Sequence, residues 1–367
     1  MSASTLSEVA RLAGVSPATA SRVLNGSART PGPEIAERVR QAAASLSYVP
    51  NAQAQGLVKA KSGLIGLIVH DIADPYFSAI ARGVQAAARE QGKMLLLATT
   101  NGTPAEECVA VAAFAARRAD SIVIAGSRSI RPEDKDSNAE LSAELDRYCR
   151  NGGRVGVMGH PVVGASAHEC YNVVNVPNEE LAAELAGKLA KIHTGNFLIL
   201  GGPEGLLTSD DRIRGYQRGL EAAGLPPAEI VRTGFDRAGG YDAGLALAKR
   251  IPGGARHPHG GPQGADPRPC ILAVNDVMAI GAVAALRSEG LRIPRDTLIA
   301  GFDDIETLRD FRPALSTVHL PLEDYGRLAA LGGTSGGSVD NEAEAGTTPA
   351  GRVMLRRSTE TRALSQT

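Results

Sequence analysis

Residues 5–25, TLSEVARLAGVSPATASRVLN, constrain this 367-residue chain more than any other stretch. Thr5 is placed to cap a helix, and Glu8 three residues on completes a capping box. Val9 and Leu12 share one face of that helix with the small Ala10 and Ala13. Gly14 supplies a turn, Ser16 caps a second helix, and Pro17 opens it, where a missing N–H costs nothing. Val23 and Leu24 close the apolar side of this second helix. A further segment from Pro33 to Leu46 turns Ile35, Val39, Ala42 and Leu46 inward, giving a three-helix unit. Two capped helices joined by a tight turn form a helix-turn-helix, whose second helix lies in the DNA major groove.

Charge supports that reading. Up to Ser62 there are seven basic residues and three acidic ones, a net of +4, while the whole chain carries −1. The remainder therefore carries −5, so a basic head sits on an acidic body, as phosphate binding by the head alone requires. At 367 residues the chain accommodates that head and a body of two lobes. Hydrophobic residues make up 43% and Trp is absent, which implies cores of Ala, Val, Leu and Ile. Cys108, Cys149, Cys170 and Cys270 form no CxxC pair and read as reduced, buried thiols of a cytoplasmic protein. No stretch approaches the ~20 apolar residues of a membrane span, and the N-terminal residues do not resemble a signal peptide.

From Leu64 the pattern changes to short apolar runs alternating with longer helical ones. Strands are expected at 64–69, 93–99, 121–126, 155–159, 173–176, 196–201, 270–274 and 298–302. Such alternation predicts parallel sheets built from βαβ units. The expected division is a head over 1–50, a linker over 51–62 and a two-lobed core over 63–330. Lobe 1 would take 63–172 plus 303–318 and lobe 2 would take 173–302, with a Gly-rich segment and terminal strand over 331–367. Ligands of open α/β sheets lie beyond the carboxyl ends of strands. Asp71, Asp74, Tyr76, Phe77, Ser127, Phe235, Asn275, Asp276 and Asp303 all follow strands or the turns after them, and Arg212 lies in the helix after 196–201. Aromatic faces, a guanidinium and a carboxylate suit a polyhydroxylated ring.

Five motifs together, VARLAGVSPATASRVLN, YVPNAQAQGL, DIADPYF, AVNDVMAIGAVAAL and GFDDIE, closely resemble the lactose-repressor (LacI/GalR) family of bacterial transcription regulators. The resemblance spans nearly the whole chain. It implies a helix-turn-helix head on an α/β, two-lobed core like that of periplasmic binding proteins, acting as a homodimer on a pseudo-palindromic operator. It further implies a repressor controlled by a small-molecule effector, with a sugar or sugar derivative favoured, and no cofactor or metal. By the same resemblance Asn51 to Val58 is a hinge helix, with Leu57 as the wedge that unstacks the minor groove.

By the same resemblance Pro17, Ala18 and Arg22 in the second helix occupy the positions that face base edges, with Arg22 suited to bidentate bonding of guanine. Thr19, Ser21 and Asn25 suit phosphate oxygens, joined by the cap residues Thr5 and Ser16; Thr19 and Ser21 equally suit a solvated helix face. The resemblance places Arg212, Asn275 and Asp303 at the principal effector contacts, Phe235 at a stacking position, and Tyr76, Phe77 and Ser127 at first-lobe contacts. Asp276 is expected to cap the following helix. Leu206 and Leu207 replace polar groups of purine-binding relatives, and His160 replaces an acidic residue of some sugar-binding ones.

Two rival classes are weaker. GGPEG at 201–205 lacks the Lys-Ser/Thr ending of a phosphate loop, and no nucleophile–base arrangement is legible, so the chain reads as no enzyme. A solute-binding protein without a DNA role would fit the body and leave the basic head unexplained. His257 and His259 lie in a Gly/Pro-rich stretch, 252–269, without the cysteines or carboxylates of a metal site, and 332–350 is a polar, small-residue tail.

Overall fold

A computed structural model describes residues 4–25, 31–49, 62–165, 169–251, 266, 268–332 and 350–360. The chain divides into two compact units, Met1–Gly63 and Leu64–Thr367.

The first unit is helical: α1 (Leu6–Ala13), α2 (Pro17–Asn25) and α3 (Pro33–Ser45). Both halves of the Thr5–Glu8 capping box form, and Gly14 ends α1 at φ +64°, a conformation that costs glycine little. Ser16 Oγ accepts the Thr19 N–H at 3.1 Å and so caps α2. Val9, Ala10, Ala13, Ala20, Val39, Ala42 and Ala43 make the core, with Val23, Leu24 and Leu46 against it. Leu12 departs from expectation and is 58% exposed, and Ala36, not Ile35, is the buried residue at the start of α3. Cores this small are closed by alanines because only a methyl group fits where helices approach closely.

The second unit contains two parallel sheets. The first has β1 (Leu64–Val69), β2 (Met94–Thr99), β3 (Ser121–Ala125), β4 (Arg154–Met158) and β5 (Tyr171–Val174), in the order β2-β1-β3-β4-β5. Helices α4 (Pro75–Glu90), α5 (Pro104–Ala116) and α6 (Lys135–Arg150) join its first four strands. The second sheet has β6 (Phe197–Gly201), β7 (Glu229–Arg232), β8 (Cys270–Ala273) and β9 (Leu298–Ala300), ordered β7-β6-β8-β9. Around it lie α7 (Asn178–Ala190), α8 (Leu207–Ala222), α9 (Arg237–Ala248) and α10 (Asp276–Ser288). The chain then forms β10 (Thr317–His319), α11 (Leu322–Gly332) and β11 (Arg352–Met354), with β10 and β11 antiparallel. Near-continuous apolar strands such as Leu64–Val69 are what a sheet covered on both faces requires.

The lobe boundaries shift from those expected. Strand β5 pairs with β4 from Val155–Tyr171 to Met158–Val174, so the first lobe runs past residue 172. Residues 303–318 stay with the second lobe, where Ser316 bridges Ala300 and Thr317 Oγ1 donates to Asp276. The element that returns to the first lobe is α11. It crosses α4 so closely that a Cβ at Gly83 would overlap the Glu323 carbonyl, and one at Gly326 would overlap that of Ile80. The closing segment is a three-residue strand followed by a 3-10 turn at Arg357–Thr359, where Ser358 Oγ donates to the Ile299 carbonyl at 2.6 Å. Strand β7 escaped the sequence reading because EIVR is too polar and exposed to stand out.

The cysteines also differ from expectation. Cys149 and Cys170 are joined as a disulfide with Cα atoms 6.1 Å apart, tying the end of α6 to the residue before β5. Cys270 is buried and Cys108 only half-buried, and both are free.

The crossing of α4 and α11 is directly testable. Gly83→Ala forces backbone apart with no flexible side chain to yield, and is expected to destabilise the second unit by about 3 kcal/mol. Urea denaturation measures this, and a change below about 0.5 kcal/mol would contradict the close approach.

Candidate functional site

Pro17, Ala18 and Arg22 are exposed along α2, and Arg22 makes no hydrogen bond or ion pair among the described residues. Thr5 and Ser16 are engaged as caps, and the Thr19 hydroxyl bonds Ser16 Oγ at 2.9 Å. Asn25 Nδ2 donates to Ser21 Oγ at 2.9 Å. Leu57, with residues 50–61, lies outside the described residues, as do 252–265 and 333–349.

In the second unit a cavity of about 450 Å³ opens between the two sheets, at the carboxyl ends of their strands. It brings together Tyr76, Phe77, Ser127, Arg212, Phe235, Asn275 and Asp303 from six separate segments of sequence. Its floor is Arg212, 1% exposed. The guanidinium donates to Asn178 Oδ1 at 2.8 Å, the Val274 carbonyl at 2.6 Å and Asp303 Oδ1 at 2.8 Å, and lies 3.9 Å from the Phe302 ring centre. Buried charges persist only when paired and hydrogen-bonded in this way. Asp303 is held at φ +113°, a strained value for a residue with a Cβ, while its backbone N–H bonds the Val318 carbonyl. Burial pushes its carboxyl up to about 7 against the pull of Arg212. Asp276 behind it is raised well above the carboxylate range by burial and by Asp303.

Asn275, not Asp276, caps α10: its Oδ1 accepts the Met278 N–H at 2.8 Å, and its Nδ2 donates to the Phe235 carbonyl at 3.3 Å. Asp276 instead accepts from Thr317 Oγ1 at 2.7 Å and the Ile305 N–H at 3.0 Å, fixing the segment after β9. On the first-lobe side Asp74 caps α4 through the Tyr76 N–H, and Tyr76 and Phe77 meet edge to face at 5.0 Å.

The two walls are latched together by the segment after β3. Ser127 Oγ accepts the Thr208 N–H at 3.1 Å, the Arg128 carbonyl accepts the Leu207 N–H at 2.9 Å, and the Ile130 N–H donates to the Gly205 carbonyl at 2.9 Å. His160 and Asp211 add a cross-lobe pair at 2.7 Å. The latch is braced from beneath by a buried pair, Arg128 and Glu107, joined by bonds of 2.5 and 2.8 Å. Against it lies His70, which burial and Arg128 hold neutral, with a pKa lowered to about 3. Sequence reasoning did not single out His70, Arg128 or Asn178 as cleft residues. The strand-end rule that found Ser127 would have found His70 and Arg128, whereas nothing in the sequence marks Asn178 as the partner of Arg212. No group of three or more His, Cys, Asp or Glu able to hold a metal occurs among the described residues.

Two outcomes follow. Asp303 keeps its proton in the fold to about pH 7 and releases it near 3.8 when unfolded, so the fold holds the extra proton between those values. Stability from this group therefore declines as pH rises from about 4 to about 7. Relative to Asp303→Asn, the wild type should gain stability as pH falls through that window, and a flat difference in denaturation midpoints would contradict it. Leu207→Pro removes one latch donor at the first position of α8, where proline is tolerated. A hydrogen bond of about 1 kcal/mol implies about fivefold weaker affinity for whatever the closed cleft holds, measured by calorimetry.

Known proteins match this arrangement along the chain. Residues 5–51 match the profile of bacterial regulatory proteins, lacI family; 62–144 match the periplasmic binding proteins and sugar binding domain of the LacI family; and 188–359 match a periplasmic binding protein-like domain. The regulator GalS of Salmonella typhimurium is 30% identical over 344 residues, covering 90% of each chain. The ribose operon repressor of Escherichia coli K12 is 29% identical, covering 89% of this chain and 90% of its own. Among solved structures, the transcriptional regulator CelR in complex with cellobiose aligns with a TM-score of 0.62 at 26% identity, over 97% of this chain and 99% of that one. The lac repressor dimer bound to operator and an anti-inducer shares the fold, with a TM-score of 0.73 at 20% identity, over 98% and 100% of the two chains.

Proposed function

The chain belongs to the lacI family of bacterial regulatory proteins, and we propose that its operator affinity is set by a small polyhydroxylated effector held between Arg212, Asp303, Phe235 and Tyr76. It is a sequence-specific DNA-binding transcriptional regulator of the repressor type. The observation that carries the proposal is the joining, in one chain, of a helix-turn-helix bearing Arg22, exposed and without a partner among the described residues, to a latched cleft floored by the buried Arg212–Asp303 pair.

Arg22 reads guanine in the major groove, Pro17 and Ala18 supply apolar contact, and Thr5, Ser16, Thr19, Ser21 and Asn25 take phosphate oxygens. Leu57 serves as the minor-groove wedge of a hinge over 51–58. Two copies bind a pseudo-palindromic operator, since two-fold protein symmetry matches two half-sites. Edge strand β2 supplies a dimer face, because Met94 is 64% and Leu97 45% exposed there. The work is done in the cytoplasm, where the DNA is; no described helix is long and apolar enough to cross a membrane. The protein acts by binding, with no reaction of its own.

A sugar is favoured over a purine because Leu206 presents an apolar side chain to the cleft. CelR in its complex holds cellobiose, and a related regulator from Enterococcus faecium holds ribose. A thermal-shift panel of monosaccharides, disaccharides and nucleosides tests this. A ligand at 100 times its Kd should add about 2.7 kcal/mol of stability. Hits among nucleosides alone would overturn the sugar assignment.

Arg22→Ala should weaken operator binding by about 1–3 kcal/mol and relax sequence preference, as read by fluorescence anisotropy on matched and mismatched duplexes. A uniform loss across all sequences would place Arg22 on phosphate instead. Arg212→Ala should abolish the effector response and leave operator binding in place, whereas loss of both would make Arg212 purely structural.

A further inference from the structure

The first turn of α8 has no cap of its own. The residue before it is Leu206, whose side chain makes no cap bond. The first N–H groups of a helix lack partners within it, so these must be met from elsewhere. They are met from the first lobe: the Arg128 carbonyl accepts the Leu207 N–H at 2.9 Å, and Ser127 Oγ accepts the Thr208 N–H at 3.1 Å. Ser129 and Leu206 stand opposite one another as a single β-bridge. Two of the three hydrogen bonds of the latch are therefore a helix cap supplied across the cleft. The third, from the Ile130 N–H to the Gly205 carbonyl, lies before the helix begins.

Those two oxygens are held in place by the side chain of Arg128. It does not line the cavity; it clasps Glu107 of α5 through Nη1 and Nη2, and Nη2 also donates to the Gly126 carbonyl at 3.3 Å. The other half of the loop has separate anchors. Asn138 Nδ2 donates to the Ser129 carbonyl at 2.8 Å, and Ser129 Oγ donates to Asp134 at 2.5 Å. Arg128 is thus the side-chain tether of the half that caps α8. Stability alone does not account for the pair. Arg128 Nε is buried with no hydrogen-bond partner among the described residues, a desolvation cost with no bond to offset it. Buried ion pairs of this kind are often replaced by apolar side chains of similar size without loss of stability.

We propose that Arg128, clasped by Glu107, is the positioning residue of the cleft. It presents Ser127 and its own carbonyl as the cap of α8, and so sets how tightly the closed cleft holds an effector that it never touches. The proposal rests on reading the cleft as the effector site. The test uses the full chain, the double variant Glu107→Leu with Arg128→Met, and the single variant Arg128→Lys, which keeps the charge and loses the two-pronged bond. Amide exchange followed by NMR reads the Leu207, Thr208 and Ile130 N–H groups with no ligand present. In the double variant Leu207 and Thr208 should exchange at least about tenfold faster, with Ile130 within about twofold of wild type. Its thermal midpoint should move by no more than about 3 °C. Arg128→Lys should fall between the double variant and wild type at the same two amides. Titration with cellobiose and with D-ribose should show at least about fivefold weaker binding of whichever the wild type takes up. Wild-type exchange at Leu207 and Thr208 overturns the assignment. So does a lower midpoint with all three amides faster together, since that is the loss of a structural pair. Unchanged sugar affinity with the two amides freed overturns the link to the effector. Should the double variant fail to fold, Arg128→Lys decides by the same comparison. Uptake of neither sugar by the wild type counts against the sugar reading of the cleft, and exchange at the two amides still decides the role of Arg128.

Discussion

The buried Arg212 guanidinium organises the second lobe. Its three partners come from the first residue of α7, the segment just past β8 and the turn after β9, so one side chain ties three strand-end connections together. Phe302 closes the stack from one side. A charge this deep is tolerable only with its bonds complete, and removing one partner of such a pair typically costs about 3–5 kcal/mol. Asp303 is fixed from two directions, by Arg212 through its side chain and by the β10 backbone, which is how a strained φ survives there. The same pair that stabilises the lobe therefore sets the polarity of the cleft floor.

The first lobe meets that floor through a braced loop. Arg128 sends its guanidinium down to Glu107 and its carbonyl across to Leu207, so one residue links the interior of the first lobe to the start of α8. His70 fills the space over Gly102 and Gly126, where any Cβ would collide with its ring. Cross-lobe contacts include the three hydrogen bonds of this loop, the His160–Asp211 contact and the Arg82–Glu306 pair at 3.7 Å, and a ligand that spans the cleft stabilises only the state in which both walls reach it.

Much of this was legible in the sequence because local rules and packing agreed. The capping box at Thr5, the turn at Gly14 and the apolar strand runs each specify one local geometry, and the fold uses them as written. The strand-end rule and the family resemblance together name Tyr76, Phe77, Ser127, Arg212, Phe235, Asn275 and Asp303, and all seven line one cavity. What could not be read depends on long-range partners. Asn275 and Asp276 are equally good caps by residue type, and only the approach of Thr317 and Ile305 decides which one turns inward. Residues 303–318 look like a return to the first lobe, and the close packing of α11 on Gly83 is what relocates that return. Cys149 and Cys170 stand 21 positions apart with no motif, and β4 pairing with β5 brings them together.

Under the proposed function an effector in the cleft alters the affinity of the head for operator. Coupling of this kind is reciprocal, so an effector that alters operator affinity must see its own affinity altered by operator to the same factor. The most direct measurement is calorimetric titration of the best-stabilising sugar into the free protein and into the protein saturated with operator duplex. The two Kd values should differ by at least about fivefold, matching the change in operator affinity at saturating sugar. Equal Kd values in the two titrations would contradict it.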